Sequence, residues 1–340
     1  MQESIYFVTR RTTPAIVGGV AASFLVVLLG MAPLLLSASM LDRLTTLFVY
    51  IMLATGWNAL AGFAGLVSIG QQLFFGLSAY ATIRLSDAGM PVFLAMLASI
   101  AVVGAFAVPV SWLMLRLREG EFAIGMWILA ELAHFIVNLD GVVQGETGTS
   151  LIALATFSAE VRQALIYWTG LASVLTLLGI FLFLIRGKIG LAIQAIRDNE
   201  EAAQSLGVET LNAKRTVFLF AAVCAATAGV LWLATAITFQ PKTFFGVQWT
   251  AYMIFMVLVG GIATFEGTIL GALIFFLVEL VFGPFGVWYL IGLGASAILF
   301  SLVFPRGVWG SVESRLGLDL AAVRYRIRMS KEGGRNGKPS

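Results

Sequence analysis

Two groups of polar side chains stand in otherwise apolar parts of this sequence, and the first is spaced to do chemistry. Glu131, His134 and Asn138 follow each other at intervals of three and four residues, which places them along one side of a helix. A carboxylate beside the only histidine of the chain can exchange a proton with it or form an ion pair. Because a charge at the centre of a membrane costs at least about 2.5–3.5 kcal/mol, Glu131 is a candidate functional residue.

The residues leave two interpretations of this polar stripe open. Either the stripe faces a solute pathway, or Glu131 and His134 neutralise each other where two helices meet. A stripe that relays protons would make the protein an ion-coupled secondary transporter, which is one alternative function.

The second group lies in GLVSIGQQLFFG, residues 65–76, where a serine and two glutamines stand among glycines and phenylalanines. Irregular backbone survives in a membrane only where it is buried in protein or lines a water-filled cavity. The glycines therefore predict a broken or re-entrant element near residues 62–72, beside the translocation path. The polar side chains would face the solute or satisfy the broken backbone, unless they only join helices by hydrogen bonds. The candidate pathway residues are Asn58, Ser68, Gln71, Gln72, Glu131, His134 and Asn138.

Long apolar runs position these groups and indicate a membrane protein. Of the 340 residues 59% are hydrophobic and only 11% charged, whereas soluble domains carry about 25% charged residues. A helix needs about 20 apolar residues to cross a bilayer, and continuous rather than alternating runs exclude a membrane β-barrel. The predicted fold class is an all-α, polytopic membrane helical bundle with about 8–10 transmembrane helices. The runs are 15–38, 45–63, 66–85, 91–117, 121–139, 163–185, 216–239, 246–264, 268–282 and 287–304.

The basic residues set the predicted orientation. All but four of the 21 lysines and arginines fall in segments on the side of the N-terminus, so both termini are predicted to be cytoplasmic. The four exceptions are Arg43, Arg84, Arg162 and Lys242. The net charge of +3 follows from this bias and does not indicate nucleic-acid binding. The domains are then a cytoplasmic N-terminus, 1–14, a transmembrane domain, 15–304, and a cytoplasmic C-terminal tail, 305–340.

The tail has its own apolar periodicity. Leu316, Leu320, Val323 and Ile327 recur at helical spacing with arginines among them. This pattern predicts a helix that lies on anionic lipid headgroups.

The inner segment 186–215 is the least hydrophobic stretch before the tail, and it predicts a cytoplasmic pair of amphipathic helices. Its apolar side consists of Ile189, Ile193, Ile196 and Ala203. Arg197 and Glu201 are four residues apart and are predicted to lie together, while Gly190 and Gly207 are predicted to break the helices. Periodicity alone also allows a loop that only rests on the membrane surface.

The same segment resembles a loop of a known transporter family. EAAQSLG, residues 201–207, resembles the EAA motif of ABC-importer permeases, in which Glu-Ala-Ala is followed at a fixed offset by glycine. The longer string GKIGLAIQAIRDNEEAAQSLGV is similar to the corresponding loop of branched-chain amino acid importer permeases. Further collinear similarities to that family are GWNALAGFAGLVSIGQQLFFGLSAY, VLVGGIATFEGTILGA and FPRGVWG. Within the family, the chain resembles the larger of the two permease types.

This resemblance implies a subunit that is not an enzyme. In the family, the EAA-type loop docks in a groove of a cytoplasmic ATP-binding subunit, and its movement on ATP binding reopens the transmembrane helices. By resemblance, the residues that couple to the ATPase are Arg197, Asn199, Glu200, Glu201, Ala202, Ala203 and Gly207. The chain has no GxxxxGK[ST] phosphate loop, so ATP and its magnesium are expected on partner subunits, with no cofactor or metal here.

The implied function is the permease subunit of an ABC importer for branched-chain or other small amino acids in the bacterial cytoplasmic membrane. Its expected partners are a second, shorter permease subunit, two cytoplasmic ATP-binding subunits, a periplasmic or lipid-anchored solute-binding protein, and membrane lipid. Urea, short amides and aromatic acids stay open as solutes, because two positions depart from the family's usual pattern. His134 stands where arginine is common, and GETGTS, residues 145–150, replaces a Gly-Gly pair that follows threonine. An intramembrane enzyme is disfavoured because the chain lacks GxSxG and HExxH motifs.

Overall fold

Helices form nearly all of the protein, because backbone surrounded by lipid must satisfy its own hydrogen bonds. This computed structural model describes residues 6–9, 13–304, 306–316 and 326–329. The helices are α1 Thr13–Gly30, α2 Ala32–Leu35, α3 Ala38–Trp57, α4 Gln72–Asp87, α5 Val92–Met114, α6 Glu119–Asn138, α7 Ala159–Arg186, α8 Lys188–Asp198, α9 Glu200–Ser205, α10 Thr210–Ala236, α11 Pro241–Phe244, α12 Gln248–Gly260, α13 Phe265–Phe282, α14 Val287–Val303 and α15 Gly307–Leu316.

Short strands pair at two places in the described chain. Strand β1, Tyr6–Thr9, is antiparallel to β4, Arg326–Met329, and β2, Thr149–Ser150, is antiparallel to β3, Thr238–Phe239. The first pair brings the two ends of the chain together.

The pairing of β1 with β4 corrects the predicted tail helix. Ile327 lies in β4 rather than in a helix, and Leu316 is the last residue of α15. Residues 326–329 alternate arginine with isoleucine and methionine, and this period of two suits a strand. Leu320 and Val323 lie outside the described residues.

Among the described residues, eight helices are long and apolar enough to cross a membrane, which confirms an all-α polytopic membrane protein. The other two predicted runs also fold as helices, α1 and α4. The apolar part of α1, Ile16–Gly30, is shorter than a full span, and α4 has only 16 residues. Eight spans, or ten with these two, both lie within the predicted range.

Glycines bring the central helices close together. A Cβ added at Gly56 of α3 would lie 2.8 Å from the Cβ of Cys224 on α10, so these helices touch through their small side chains. Likewise, a Cβ added at Gly271 of α13 would lie 1.8 Å from the carbonyl oxygen of Met256 on α12. Substitution at either glycine would push a helix pair apart.

The predicted break between α3 and α4 is present. α3 passes into a π-helical turn, Asn58–Phe63, and residues 64–71 are not helical before α4 begins at Gln72. The indole N–H of Trp57 donates to the carbonyl of Ser68 at 3.0 Å, so the non-helical segment runs back beside the helix that it left. Most of this segment is buried, as irregular backbone in a membrane requires.

The connections between helices lie at two opposite ends of the bundle. We call one end the coupling face, which contains residues 187–209, 261–264 and 306–316. We call the other the loop face, which contains residues 31–37, 139–158, 237–246 and 283–286. The β2–β3 pair joins two loop-face connections, and the backbone of Gly307 packs against that of Gly261 at the coupling face.

Candidate functional site

The coupling face carries two short helices, α8 and α9, joined at Asn199. Asn199 has extended backbone, and its Oδ1 accepts a hydrogen bond from the N–H of Ala202 at 2.9 Å. An asparagine in this position satisfies a free N–H of the first turn and so begins a new helix. The predicted break at Gly190 is wrong, because this residue lies inside α8. Its missing side chain allows close packing instead, since an added Cβ would lie 2.0 Å from the carbonyl oxygen of Ile185.

Helix α9 ends at Ser205, and Gly207 turns the chain two residues later, as predicted. Gly207 has φ +84°, a conformation that glycine adopts without strain. The N–H of Val208 bonds to the carbonyl of Ala203 at 3.1 Å, and the N–H of Gly207 bonds to that of Gln204 at 2.9 Å. These two bonds form a Schellman motif, which satisfies the last carbonyl groups of the helix.

The apolar side of this helix pair faces into the subunit, as the periodicity predicts. Ile193, Ile196 and Ala203 are buried, each 4% exposed or less. Ala203 therefore packs inside this chain, and Ala202 presents the small exposed side chain of the EAA-like motif. Leu206, at the end of α9, is 86% exposed, which leaves a large apolar side chain free to meet a partner.

Arg197 connects the helix pair to the break after α3. Its Nη1 donates to the carbonyl of Gly62 in the π-helical turn at 3.1 Å, and its Nε and Nη2 donate to Asp198 at 3.2 and 3.0 Å. The predicted pairing of Arg197 with Glu201 is wrong, because the chain turns at Asn199 between them. On α9, Glu200 instead accepts a hydrogen bond from Lys214 of α10.

Asn58 connects the same π-helical turn to the connection between α12 and α13. Its Oδ1 accepts from the N–H of Ala263 at 2.9 Å, and its Nδ2 donates to the carbonyl of Thr264 at 2.9 Å and to the hydroxyl of Thr268 at 2.6 Å. Asn58 is fully buried. We call these four residues the Asn58 network.

The polar residues of the break are buried, and most of them bond within the chain. Ser68 Oγ accepts from the N–H of Gly70 at 3.3 Å. Gln72 donates to the carbonyl of Ile69 at 3.0 Å and accepts from the hydroxyl of Thr250 on α12 at 2.7 Å. These contacts satisfy the broken backbone, and a role in the pathway stays a prediction. Gln71 is 1% exposed, and neither atom of its amide has a hydrogen-bond partner.

The polar stripe of α6 meets a loop-face carboxylate that the sequence did not single out as a site residue. His134 Nδ1 lies 3.2 Å from Glu131 Oε2, and its Nε2 lies 2.9 Å from Glu146 Oε1. Asn138 Nδ2 donates to the same oxygen of Glu146, and the N–H of Lys242 donates to the other at 3.0 Å. We call Glu131, His134, Asn138 and Glu146 the His134 cluster. The structure thus shows both the predicted Glu131–His134 pair and a second carboxylate on the same imidazole.

The His134 cluster lies on an accessible surface rather than in the core. The side chains of Glu131 and Glu146 are 48% and 46% exposed, and that of His134 is 15% exposed. Exposed apolar residues of α6 surround Glu131, including Ile128, Leu132 and Phe135. A charged side chain in such a face is costly against lipid, so protein or water must cover it.

Burial and hydrogen bonding have opposite effects on Glu146. Partial burial raises the pKa of its carboxyl. Hydrogen bonds from Asn138 and His134, together with the charge interaction with His134, lower this pKa by a larger amount. The resulting pKa is below the usual value, so Glu146 is ionised at neutral pH. In the sequence, Glu146 is marked only by its position in a loop between two spans. Other residues share that position, so the sequence alone does not identify Glu146 as a site residue. Among the described residues, no three His, Cys, Asp or Glu side chains are grouped as a metal would need.

The sequence matches known transport proteins over most of its length. A family model described as branched-chain amino acid transport system / permease component matches residues 39–306. The chain is 26% identical to the high-affinity branched-chain amino acid transport system permease protein LivM of Escherichia coli K12, over 92% of this chain and 80% of that protein. It is also 26% identical to the LivM protein of Salmonella typhimurium, over 90% of this chain and 79% of that protein.

A third relative matches over a shorter part of the chain. The chain is 24% identical to a probable branched-chain amino acid transport permease protein LivM of Methanocaldococcus jannaschii, over 49% of each chain. No solved structure matches the sequence.

Proposed function

Because the chain belongs to the branched-chain amino acid transport permease family, we propose that α9 couples its membrane helices to ATP hydrolysis on a separate subunit. The protein is a permease subunit of an ABC importer. The names of its relatives describe them as permeases for branched-chain amino acids. The observation that carries the coupling proposal is the hydrogen bond from Arg197 to Gly62. It joins a helix pair with a free outer surface to the one described π-helical turn in the spans.

The outer surface of α9 has the properties of a protein docking site. Leu206 is almost fully exposed, and the exposed Glu201 and Ala202 lie one turn before it. Asn199 and Gly207 fix the start and the end of the helix, so the surface is presented in a defined conformation. The ATP-binding subunit would take Leu206 into its groove and contact Glu201 at the rim.

Movement of α9 has a continuous route into the membrane helices. Asn199 joins α9 directly to α8, whose Arg197 holds the carbonyl of Gly62. The Asn58 network then links the same turn to α12 and α13. A π-helical turn already departs from the α-helical hydrogen-bond pattern, so it is a place where α3 can change its bend. Nucleotide-driven displacement of α9 would thus reorient the break between α3 and α4 together with α12 and α13.

The second permease subunit would cover the exposed face of α6. This face has large apolar side chains around Glu131, and a subunit interface or a water-filled pathway between subunits would shield that charge from lipid. The His134 cluster would then line the loop-face entrance of the pathway. The solute would be a branched-chain or other small amino acid, delivered by a periplasmic or lipid-anchored binding protein. Urea, short amides and aromatic acids are the alternative solutes within the same family.

The coupling face would lie in the cytoplasm, with the ATP bound by two partner subunits. The excess of basic residues on this side supports that orientation. The pairing of β1 with β4 also supports it, since it places both ends of the chain on one side. An ion-coupled secondary transporter would leave the docking surface of α9 without a role.

The coupling proposal is tested by replacing Arg197 with glutamine in the assembled complex. Arg197→Gln removes the charged donor to Gly62, while Asp198→Asn weakens only the exposed ion pair and serves as the matched control. A hydrogen bond to a charged group contributes about 1.5–3 kcal/mol, which corresponds to a tenfold or larger effect. We expect leucine uptake per ATP hydrolysed in proteoliposomes to fall at least tenfold for Arg197→Gln and to stay near normal for Asp198→Asn. Equal uptake per ATP in the two variants would refute this route of coupling.

A further inference from the structure

A polar pocket lies at the loop face, between the N-terminal part of α3 and the C-terminal part of α10. Its volume is about 330 Å³, near the lower end of the ~300–1,000 Å³ that small-molecule sites occupy. Helix α3 supplies Ser39, Asp42, Arg43 and Thr46 to its walls, and α10 supplies Trp232 and Thr235. None of these residues belongs to the His134 cluster or to the Asn58 network.

The pocket contains an acid and a base, and neither is neutralised within the described chain. Asp42 and Arg43 form no ion pair there. Gln163 donates to Oδ2 of Asp42 at 3.0 Å, and Arg162 interacts with Asp42 from outside ion-pair distance. Arg43 is exposed and is one of only four basic residues on the predicted outer side, so the positive-inside bias does not account for it.

The hydroxyl groups beside Asp42 are able to accept hydrogen bonds. Thr46 Oγ1 donates its proton to the carbonyl of Asp42 at 3.0 Å, and Thr235 Oγ1 donates to the carbonyl of Leu231 at 2.8 Å. A hydroxyl whose proton is used in this way still accepts through its oxygen. The two threonines and the Asp42 carboxylate therefore form a set of acceptors, which suits an ammonium group because that group only donates.

Arg43, Ser39 and Trp232 form a set of donors in the same pocket. A guanidinium presents its N–H groups in a planar fork that matches the two oxygens of a carboxylate. Neither the hydroxyl of Ser39 nor the indole N–H of Trp232 donates to an acceptor among the described residues. The pocket also lies at the start of α3, and the N-terminus of a helix favours a negative charge.

These two sets select against simple ions. Arg43 would repel a metal cation, and Asp42 would repel a phosphate. A molecule that carries both an ammonium and a carboxylate uses both sets at once.

We propose that this pocket binds a free α-amino acid in its zwitterionic form. Asp42, Thr46 and Thr235 accept hydrogen bonds from the ammonium group. Arg43, with Ser39 and Trp232, donates to the carboxylate. The side chain of the amino acid lies against the Trp232 ring and Ala236, which completes the wall of the pocket.

Aromatic contacts connect this pocket to the break between α3 and α4. The ring centroids of Trp232 and Trp249 are 5.0 Å apart, and those of Trp249 and Phe75 are 4.4 Å apart. Phe75 lies in the first turn of α4, directly after the break. The inference rests on the proposed function, because the loop face is the side at which the solute would arrive. It adds a solute-recognition site in the permease subunit itself.

The test measures binding of radiolabelled leucine to the full-length subunit in nanodiscs of phosphatidylglycerol, without the ATP-binding subunits. Unlabelled competitors examine each half of the site separately, because N-acetylleucine lacks the ammonium group and leucinamide lacks the carboxylate. We expect leucine to displace the label at least tenfold more effectively than either analogue, since each analogue leaves one charged group of the pocket unpaired. This comparison uses the native chain, so it does not depend on the folding of a variant.

Variants then assign the binding to this pocket. Arg43→Gln and Asp42→Asn should each weaken leucine binding at least tenfold without lowering the thermal midpoint of the subunit. Arg162→Gln is the matched control, because it removes a loop-face arginine that does not line the pocket, and it should not weaken binding. Equal weakening by Arg43→Gln and Arg162→Gln would overturn the proposal.

Three further results would also overturn it. The first is the absence of saturable leucine binding, and the second is equal displacement by leucine and its two analogues. The third is loss of the label when phosphatidylethanolamine is added to the nanodiscs, because this headgroup also combines an anion with an ammonium and would then be the occupant. If the assembled complex transports leucine but the subunit does not bind it, the pocket assignment fails and the proposed function stands.

Discussion

The Asn58 network and the His134 cluster are both polar groups of side chains in a membrane protein. Only in the Asn58 network does this chain supply a hydrogen-bond partner for every polar atom of the central side chain. In the Asn58 network, every polar atom of the fully buried Asn58 side chain is bonded to the connection between α12 and α13. In the His134 cluster, Glu131 is half exposed and the buried Oδ1 of Asn138 has no partner. The two polar centres therefore serve different purposes.

This difference indicates that the Asn58 network connects segments within the subunit, whereas the His134 cluster is part of a surface that contacts a neighbour. Polar groups that are buried and fully bonded hold two segments in one arrangement, because breaking any bond leaves a desolvated group. Polar groups that are exposed on an apolar helix face are incomplete without a neighbour. We therefore expect the Asn58 network to determine the stability of the isolated subunit. We expect the His134 cluster to affect mainly uptake by the assembled transporter.

The largest expected effect comes from removing Asn58. Asn58→Leu leaves the part-buried N–H of Ala263 without its acceptor and removes one donor from the part-buried carbonyl of Thr264, at up to about 1–3 kcal/mol for each group. We expect the purified subunit to lose about 2–5 kcal/mol of stability, measured as a lower midpoint of thermal unfolding in detergent. Thr45→Val is the matched control on the same helix, because the buried hydroxyl of Thr45 bonds only to its own helix at Leu41. A midpoint for Asn58→Leu equal to that of the control would show that the network does not hold the subunit together.

The partners in the Asn58 network could not be predicted from the sequence. Ala263 and Thr264 lie more than 200 positions after Asn58, and no periodicity relates them. The sequence did predict the break itself, because clustered glycines among polar side chains cannot form a regular span. It placed Asn58 among the pathway residues, whereas the structure shows its side chain bonded inside the subunit.

The helix pair at the coupling face, α8 and α9, could also be predicted from the sequence only in part. Hydrophobic spacing correctly predicted which side of α8 is buried, at Ile193 and Ile196, and Gly207 correctly predicted the end of α9. The predicted break at Gly190 does not occur, because Gly190 lies inside α8, and Asn199 forms the turn between the two helices. Glycine has two physical uses, a turn or a close approach, and the sequence alone does not tell which one applies.

A smaller effect is expected from replacing Glu131. The replacement should stabilise the isolated subunit but lower uptake by the assembled complex. Glu131→Leu removes a charge from an exposed apolar face, so the isolated subunit should gain about 1–2 kcal/mol of stability. In the assembled complex the same change should lower solute uptake if, as proposed, the His134 cluster lines the entrance of the pathway. Glu131→Gln keeps the size of the side chain and isolates the effect of the charge on uptake. Stable and fully active Glu131→Leu would mean that Glu131 only pairs with His134 and has no part in transport.

The smallest expected effect is the pH dependence of the cluster at Glu146. Burial raises the pKa of Glu146, but hydrogen bonds from Asn138, His134 and the Lys242 N–H outweigh it and hold the pKa below the usual 4.5. A group whose pKa is lowered by folding stabilises the protein above its unfolded pKa, and this contribution is lost as the pH falls through the folded value. The contacts of Glu146 should therefore persist at pH 5–7 and weaken only below about 4.5.

This dependence is measured as the difference in thermal midpoint between the native chain and Glu146→Gln. The difference should be constant from pH 7 to about 5 and shrink toward zero at lower pH. A difference that already shrinks between pH 7 and pH 5 would contradict this assignment, because the Glu146 carboxyl stays ionised throughout that range.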